Sequence, residues 1–105
     1  MLEKLKGIAE HYEDIQAQLS DPSVYADSDL LRRLSREQKE LEPIVEAYRA
    51  YRKWEGEEAA ARELLSDPEL KEVAQEEFHT ARAELERLRE ELKILLLPKD
   101  ANDSR

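Results

Sequence analysis

The tetrapeptide Ser66-Asp67-Pro68-Glu69 constrains the fold of this chain more than any other feature. On both sides of it apolar residues recur at spacings of three and four, over stretches far longer than strands. The N-terminal series runs through Leu30, Leu34, Leu41, Ile44, Val45, Tyr48, Tyr51 and Trp54 to Leu64 and Leu65. The C-terminal series runs through Leu70, Val73, Ala74, Phe78, Ala81, Leu85, Leu88, Leu92 and Leu95, and Pro98 ends it. Two long helices joined by so short a turn lie antiparallel. The turn admits two caps. Ser66 can cap with Glu69 completing a capping box, or Asp67 can cap with Pro68 at the first helical position. The extended backbone of a pre-proline residue favours Asp67.

A shorter helix precedes this hairpin. Leu5, Ile8, Tyr12, Ile15 and Leu19 fall on one face of a segment from about Leu2 to Leu19. It stops at Ser20-Asp21-Pro22, because a residue before proline avoids helical dihedrals. Ser23 to Asp27 reads as a loop, and Asp27 or Ser28 caps the second helix. Pro43 interrupts that helix without a Gly, Asn or Ser cluster around it, which predicts a kink and not a loop. Gly56 is a second soft point. Ser-Asp-Pro occurs twice, but the flanking sequences do not align, so it is one turn device used twice. The expected fold is all-α: an elongated three-helix bundle with a long antiparallel helical hairpin, residues 1–97 forming the helical domain. A polar, disordered tail runs from Lys99 to Arg105.

Composition narrows the function. Charged residues make up 41% of the 105 residues and the net charge is −9. Duplex binding and electrostatic membrane anchoring both rest on excess lysine and arginine, so DNA and membrane are excluded as partners. The chain has no cysteine, hence no disulfide framework and no thiolate metal site. No signal peptide or spanning segment appears, and the chain reads as cytoplasmic. His11 and His79 lie on different helices without a second histidine at helical spacing, so both read as solvated. No nucleophile elbow or glycine-rich phosphate loop is present, and no catalytic, cofactor-binding or metal site is expected. Carboxylates alternate with bases at four-residue spacing, as in Arg33–Glu37, Arg36–Glu40, Glu58–Arg62, Arg82–Glu86 and Arg87–Glu91, the pattern of ordinary helix surfaces.

One stretch departs from the acidic background. From Arg32 to Lys53 there are seven bases against four acids. At its end, Arg49, Arg52, Lys53 and Trp54 interleave bases with aromatics and form a candidate ribosome contact, arginine on phosphate and an aromatic stacking. Helical spacing favours the plainer arrangement, in which Tyr48 and Tyr51 face the seam and the bases face water.

The segments Leu64 to Glu72, Ala74-Gln75-Glu76-Glu77 and Leu95-Leu96-Leu97-Pro98-Lys99-Asp100 resemble the helical N-terminal domain of the bacterial class-I peptide chain release factors. Leu19-Ser20-Asp21-Pro22 and Leu34-Ser35-Arg36-Glu37 agree, so the match covers essentially the whole chain. The type-1 members fit better than the type-2 members, whose exit segment differs. Ala101 stands where the family more often has proline. The resemblance implies that residues 98–105 are a linker toward a central domain. It also implies a factor that terminates translation at UAA and UAG stop codons, with this domain docking on the ribosome. In the family the domain projects towards the GTPase-associated region at the stalk base of the large subunit, and it offers a grip to the glutamine methyltransferase that modifies the factor. The family reads codons with a Pro-x-Thr-type tripeptide and releases peptide with Gly-Gly-Gln. None of the four prolines here has threonine two residues on, and no two glycines are adjacent. The chain therefore reads as one domain of a longer factor and not as an enzyme. The alternative is a free-standing helical coiled-coil adaptor or chaperone, which has no reason to carry the Leu-Leu-Pro-Lys-Asp exit.

Far-ultraviolet circular dichroism of the chain should show a strongly helical spectrum; substantial β-structure would overturn the reading of the periodicity.

Overall fold

The computed structural model describes residues 2–97, which form four helices and no strand. These are α1 (Leu2–Leu19), α2 (Pro22–Tyr25), α3 (Ser28–Leu64) and α4 (Lys71–Leu95). The all-α class and the helical bundle with hairpin are as the periodicity requires. The segment assigned to the linker, residues 98–105, lies outside the described residues, as do Pro98 as a helix stop and the tail's expected disorder. The chain divides into two compact units, Met1–Tyr48 and Arg49–Arg105.

In the first unit, α1 buries the expected face: Leu5 at 1%, Tyr12 at 6% and Ile15 at 0% exposure, with Ile8 and Leu19 half-buried. Ile15, Val24 and Leu34 form a buried cluster, with Leu19, Leu30, Leu31 and Leu41 around it. Val24 belongs to α2, in the segment expected to be a loop. The correction has a local cause. Asp21 is extended (φ −84°, ψ 122°) and its Oδ1 accepts from the Ser23 N–H at 3.0 Å and the Ser23 hydroxyl at 2.9 Å. Pro22 then occupies the first helical position, where its missing N–H costs nothing. These bonds, the backbone one first, hold the Asp21 carboxyl below its ordinary range. The cap is therefore complete near neutral pH and is lost as the pH falls through that lowered value. Of the two candidate caps for α3, Asp27 acts: its Oδ1 accepts from the Leu30 N–H at 3.1 Å. α3 then continues unbroken through Pro43 and Gly56.

In the second unit, the later part of α3 and α4 form the antiparallel hairpin. Side-chain pairs fix its register: Arg62 meets Phe78, Glu58 meets Arg82, and Tyr51 meets Arg89, so positions fall along α3 as they rise along α4. The seam includes three almost wholly buried alanines, Ala61 at 0%, Ala74 at 1% and Ala81 at 0% exposure, with Tyr51, Leu85, Leu88 and Leu92 also buried. Small side chains there let the two helix backbones approach closely.

The turn at the hairpin tip corrects the expected cap. Asp67 does serve as an acceptor, its Oδ1 taking the Glu69 N–H at 2.9 Å, but regular helix begins only at Lys71. The Leu70 N–H bonds to the Asp67 carbonyl at three-residue spacing, and the α-ladder opens with Ala74 on Leu70. Leu70, the N-cap, has no side-chain partner for the helix end, and no Ser66–Glu69 capping box forms: the Ser66 hydroxyl donates to the Glu63 carbonyl at 3.0 Å. Leu70 and Val73, expected on the core face, are exposed, as is Leu64; Leu70 lies in the turn, and on α4 it is Ala74, next to Val73, that is buried.

Two substitutions test this account together. A Cβ on Gly56 meets open space, so Gly56→Ala should stabilise the chain by about 0.5–1 kcal/mol through helix propensity. Ala81→Leu should destabilise it by about 1–3 kcal/mol through overpacking of the seam. Urea melts read both, and tolerance of Ala81→Leu would show that the helices are not held closely there.

Candidate functional site

The basic-aromatic stretch lies on α3, and the fold separates its members by helical phase. Tyr51 is buried, Tyr48 and Trp54 are half-buried, and Arg49, Arg52 and Lys53 are exposed. Arg52 Nη1 stands 3.7 Å from Glu55 Oε1 on the same helix. Lys53 Nζ lies 5.4 Å from the centroid of the Trp54 ring. The aromatics thus turn toward the hairpin and the bases toward water, as the spacing favours. α4 adds a cation that the linear sequence does not show: Arg89 Nη2 donates to the Tyr51 hydroxyl at 3.3 Å. That bond, with attraction to Tyr51, Glu86 and Glu90, raises the already high pKa of Arg89.

Further along the hairpin, Phe78 is flanked by two guanidinium groups, Arg62 at 5.7 Å and Arg82 at 5.6 Å from the ring centroid. Glu58 ties both arginines, at 3.5 Å and 3.9 Å. A shallow groove of about 390 Å³ runs beside them, lined by Glu58, Phe78, His79, Arg82, Glu86 and Arg89 among others. The Phe78–Arg82 spacing of four is legible in the sequence; the approach of Arg62 and Glu58 depends on the register. A second groove, of about 370 Å³, is lined by Trp54 and Glu57 on α3 and by Glu76, Glu77 and Thr80 on α4.

The histidines differ from one another. His11, read as a solvated surface residue, is exposed and also hydrogen-bonds through Nε2 to Glu37 Oε1, joining α1 to α3 within the first unit. His79 is exposed at the rim of the Phe78 groove. Of the four-spaced ion pairs, Glu58–Arg62 forms at 3.5 Å and Arg87–Glu91 at 3.3 Å. Among the described residues no group of three or more His, Cys, Asp or Glu could hold a metal ion, and no polar or charged side chain is buried. No helix of the described residues is long and apolar enough to cross a membrane. The charged and aromatic groups lie on open helix faces, an arrangement suited to contact with a macromolecule.

Comparison with known proteins supplies the context. A family model described as the PCRF domain matches residues 8–105. The chain is 44% identical over 105 residues, its whole length, to peptide chain release factor 1 of Geobacter sulfurreducens, and it spans 30% of that relative's length. No solved structure matches the chain.

Proposed function

The chain belongs to the PCRF domain family, and from that premise we propose that it is the N-terminal docking domain of a peptide chain release factor that terminates translation at UAA and UAG codons. The observation that carries this reading is the 44% identity sustained over all 105 residues to a release factor 1. A helix-rich chain matches unrelated helices in short stretches through leucine spacing. A match through the Asp-Pro turns as well as the helices needs common descent. The domain's part is binding: without a Gly-Gly-Gln or a Pro-x-Thr-type tripeptide in these residues, catalysis and codon reading fall to other parts of the factor.

The partner in this reading is the stalk base and GTPase-associated region of the large ribosomal subunit, with the release-factor glutamine methyltransferase as a second protein that grips the domain. A protein contact is favoured over rRNA by the net charge of −9, which opposes approach to phosphates. The hairpin tip supports it further. Leu64, Leu70 and Val73 are 38%, 42% and 55% exposed, apolar side chains that a protein surface would cover. Arg49, Arg52, Lys53 and Trp54 remain the candidate rRNA contact.

The full-length factor separates these contacts. Leu70→Glu with Val73→Glu, at exposed positions that should not disturb folding, should slow ribosome-dependent release at limiting factor concentration. Arg49→Glu with Arg52→Glu should leave both the rate and its salt dependence unchanged. A salt slope that flattens by about one unit for each lost phosphate contact would instead establish an rRNA contact. The 105-residue chain by itself should release no peptide on stop-programmed ribosomes; release by it would overturn the reading.

A further inference from the structure

The sequence groups Trp54 with Arg49, Arg52 and Lys53 as one basic face, but the fold gives its ring acidic neighbours. Glu57, Glu76, Glu77 and Thr80 line the groove of about 370 Å³ into which half-buried Trp54 opens, and all four are exposed. Among the described residues the three glutamates have no ion pair or side-chain hydrogen bond, whereas Glu58, Glu84 and Glu91 each hold an arginine. Lys53, at 5.4 Å from the indole centroid, shows that this ring accepts a cation.

The lining selects among occupants. Three carboxylates repel a phosphate, so the groove itself does not suit a nucleic-acid backbone. A bare metal ion needs ligands that converge, and no such group exists among the described residues. Separated carboxylates around an aromatic face suit a polyatomic cation with several donors. A guanidinium is planar, weakly hydrated and carries five N–H donors, so it can lie on the indole while reaching more than one glutamate. The groove, of about 370 Å³, has room to seat such a side chain.

We propose that this groove receives an arginine side chain of a basic protein partner, with Trp54 stacking on the guanidinium and Glu57, Glu76 and Glu77 pairing with it. The identity of the partner rests on the docking reading; the preference for arginine is measurable on the chain alone, so the two can fail separately. Trp54 is the single tryptophan in the sequence, and its fluorescence reports on this groove.

The full 105-residue chain is titrated with a capped glycine peptide carrying two arginines, and with the same peptide carrying citrulline, the neutral isostere. The arginine peptide should change Trp54 emission saturably by millimolar concentration, and the citrulline peptide should not. Glu76→Gln with Glu77→Gln should weaken binding about five- to tenfold, with the far-ultraviolet spectrum unchanged. Glu3→Gln with Glu10→Gln, the same charge loss placed on α1, should leave affinity within about twofold. Any of these results would overturn the proposal: no saturable change, an equal response to citrulline, an equal loss in the α1 variant, or reproduction of the signal by magnesium chloride. A response to single-stranded RNA that survives Glu76→Gln with Glu77→Gln would overturn it in favour of nucleic acid. Saturable arginine binding beside a failed release test would leave the groove standing and remove the docking reading.

Discussion

Burial of alanine in the hairpin seam is the constraint on which the second unit depends. Ala61, Ala74 and Ala81 are almost entirely buried in the hairpin. A larger side chain at any of them would push the backbones apart or rotate one helix about its axis. The register they permit then decides every longer contact. It brings Arg62 to the Phe78 ring that Arg82 also meets, lets Glu58 reach both arginines, and brings Arg89 to the Tyr51 hydroxyl. The ion pairs among these contacts are solvent-accessible and worth little singly. Their common register shows that the apolar seam and the polar flanks specify one pairing.

The two Ser-Asp-Pro turns illustrate how one local device yields two outcomes. At Asp21 the side chain accepts from Ser23 and proline opens a helix at once, although only for four residues. At Asp67 the side chain likewise accepts two residues on, at Glu69, and both turns close at three-residue spacing, Val24 on Asp21 and Leu70 on Asp67, yet α4 starts only at Lys71. The apolar residues just beyond each turn meet different surroundings. Val24 is buried in the cluster with Ile15 and Leu34, while Leu70, in the turn, and Val73, beside the buried Ala74, stay exposed. The short α2 is therefore a consequence of burial that the capping pattern only permits. The exposed tip is a consequence of its absence.

Charge is distributed by the same geometry. Along the chain the bases from Arg32 to Lys53 look like one patch. In the folded hairpin, α4 carries Glu76 and Glu77 to the side of Trp54 and Arg89 to the side of Tyr51. An aromatic residue read with its sequence neighbours thus acquires a different chemical setting from the helix opposite. The surface thus exposes apolar side chains at the tip and sets carboxylates beside Trp54.

By itself the sequence determined what depends on near neighbours: the helical class, the ends of α1 and the start of α3, the reversal at Ser66 to Glu69, and the burial of Leu5, Tyr12 and Ile15. It also carried the family resemblance, because the turn and exit motifs are contiguous. The tertiary structure alone decided the pairing of His11 with Glu37, the approach of Arg62 to Phe78, the acidic setting of Trp54 and the exposure of Leu70 and Val73. The division comes from range. Helical periodicity and proline stops act over three or four residues and are written locally. The register of α3 on α4 is set by side-chain volumes summed along the whole seam, and the pattern of apolar positions leaves that sum open.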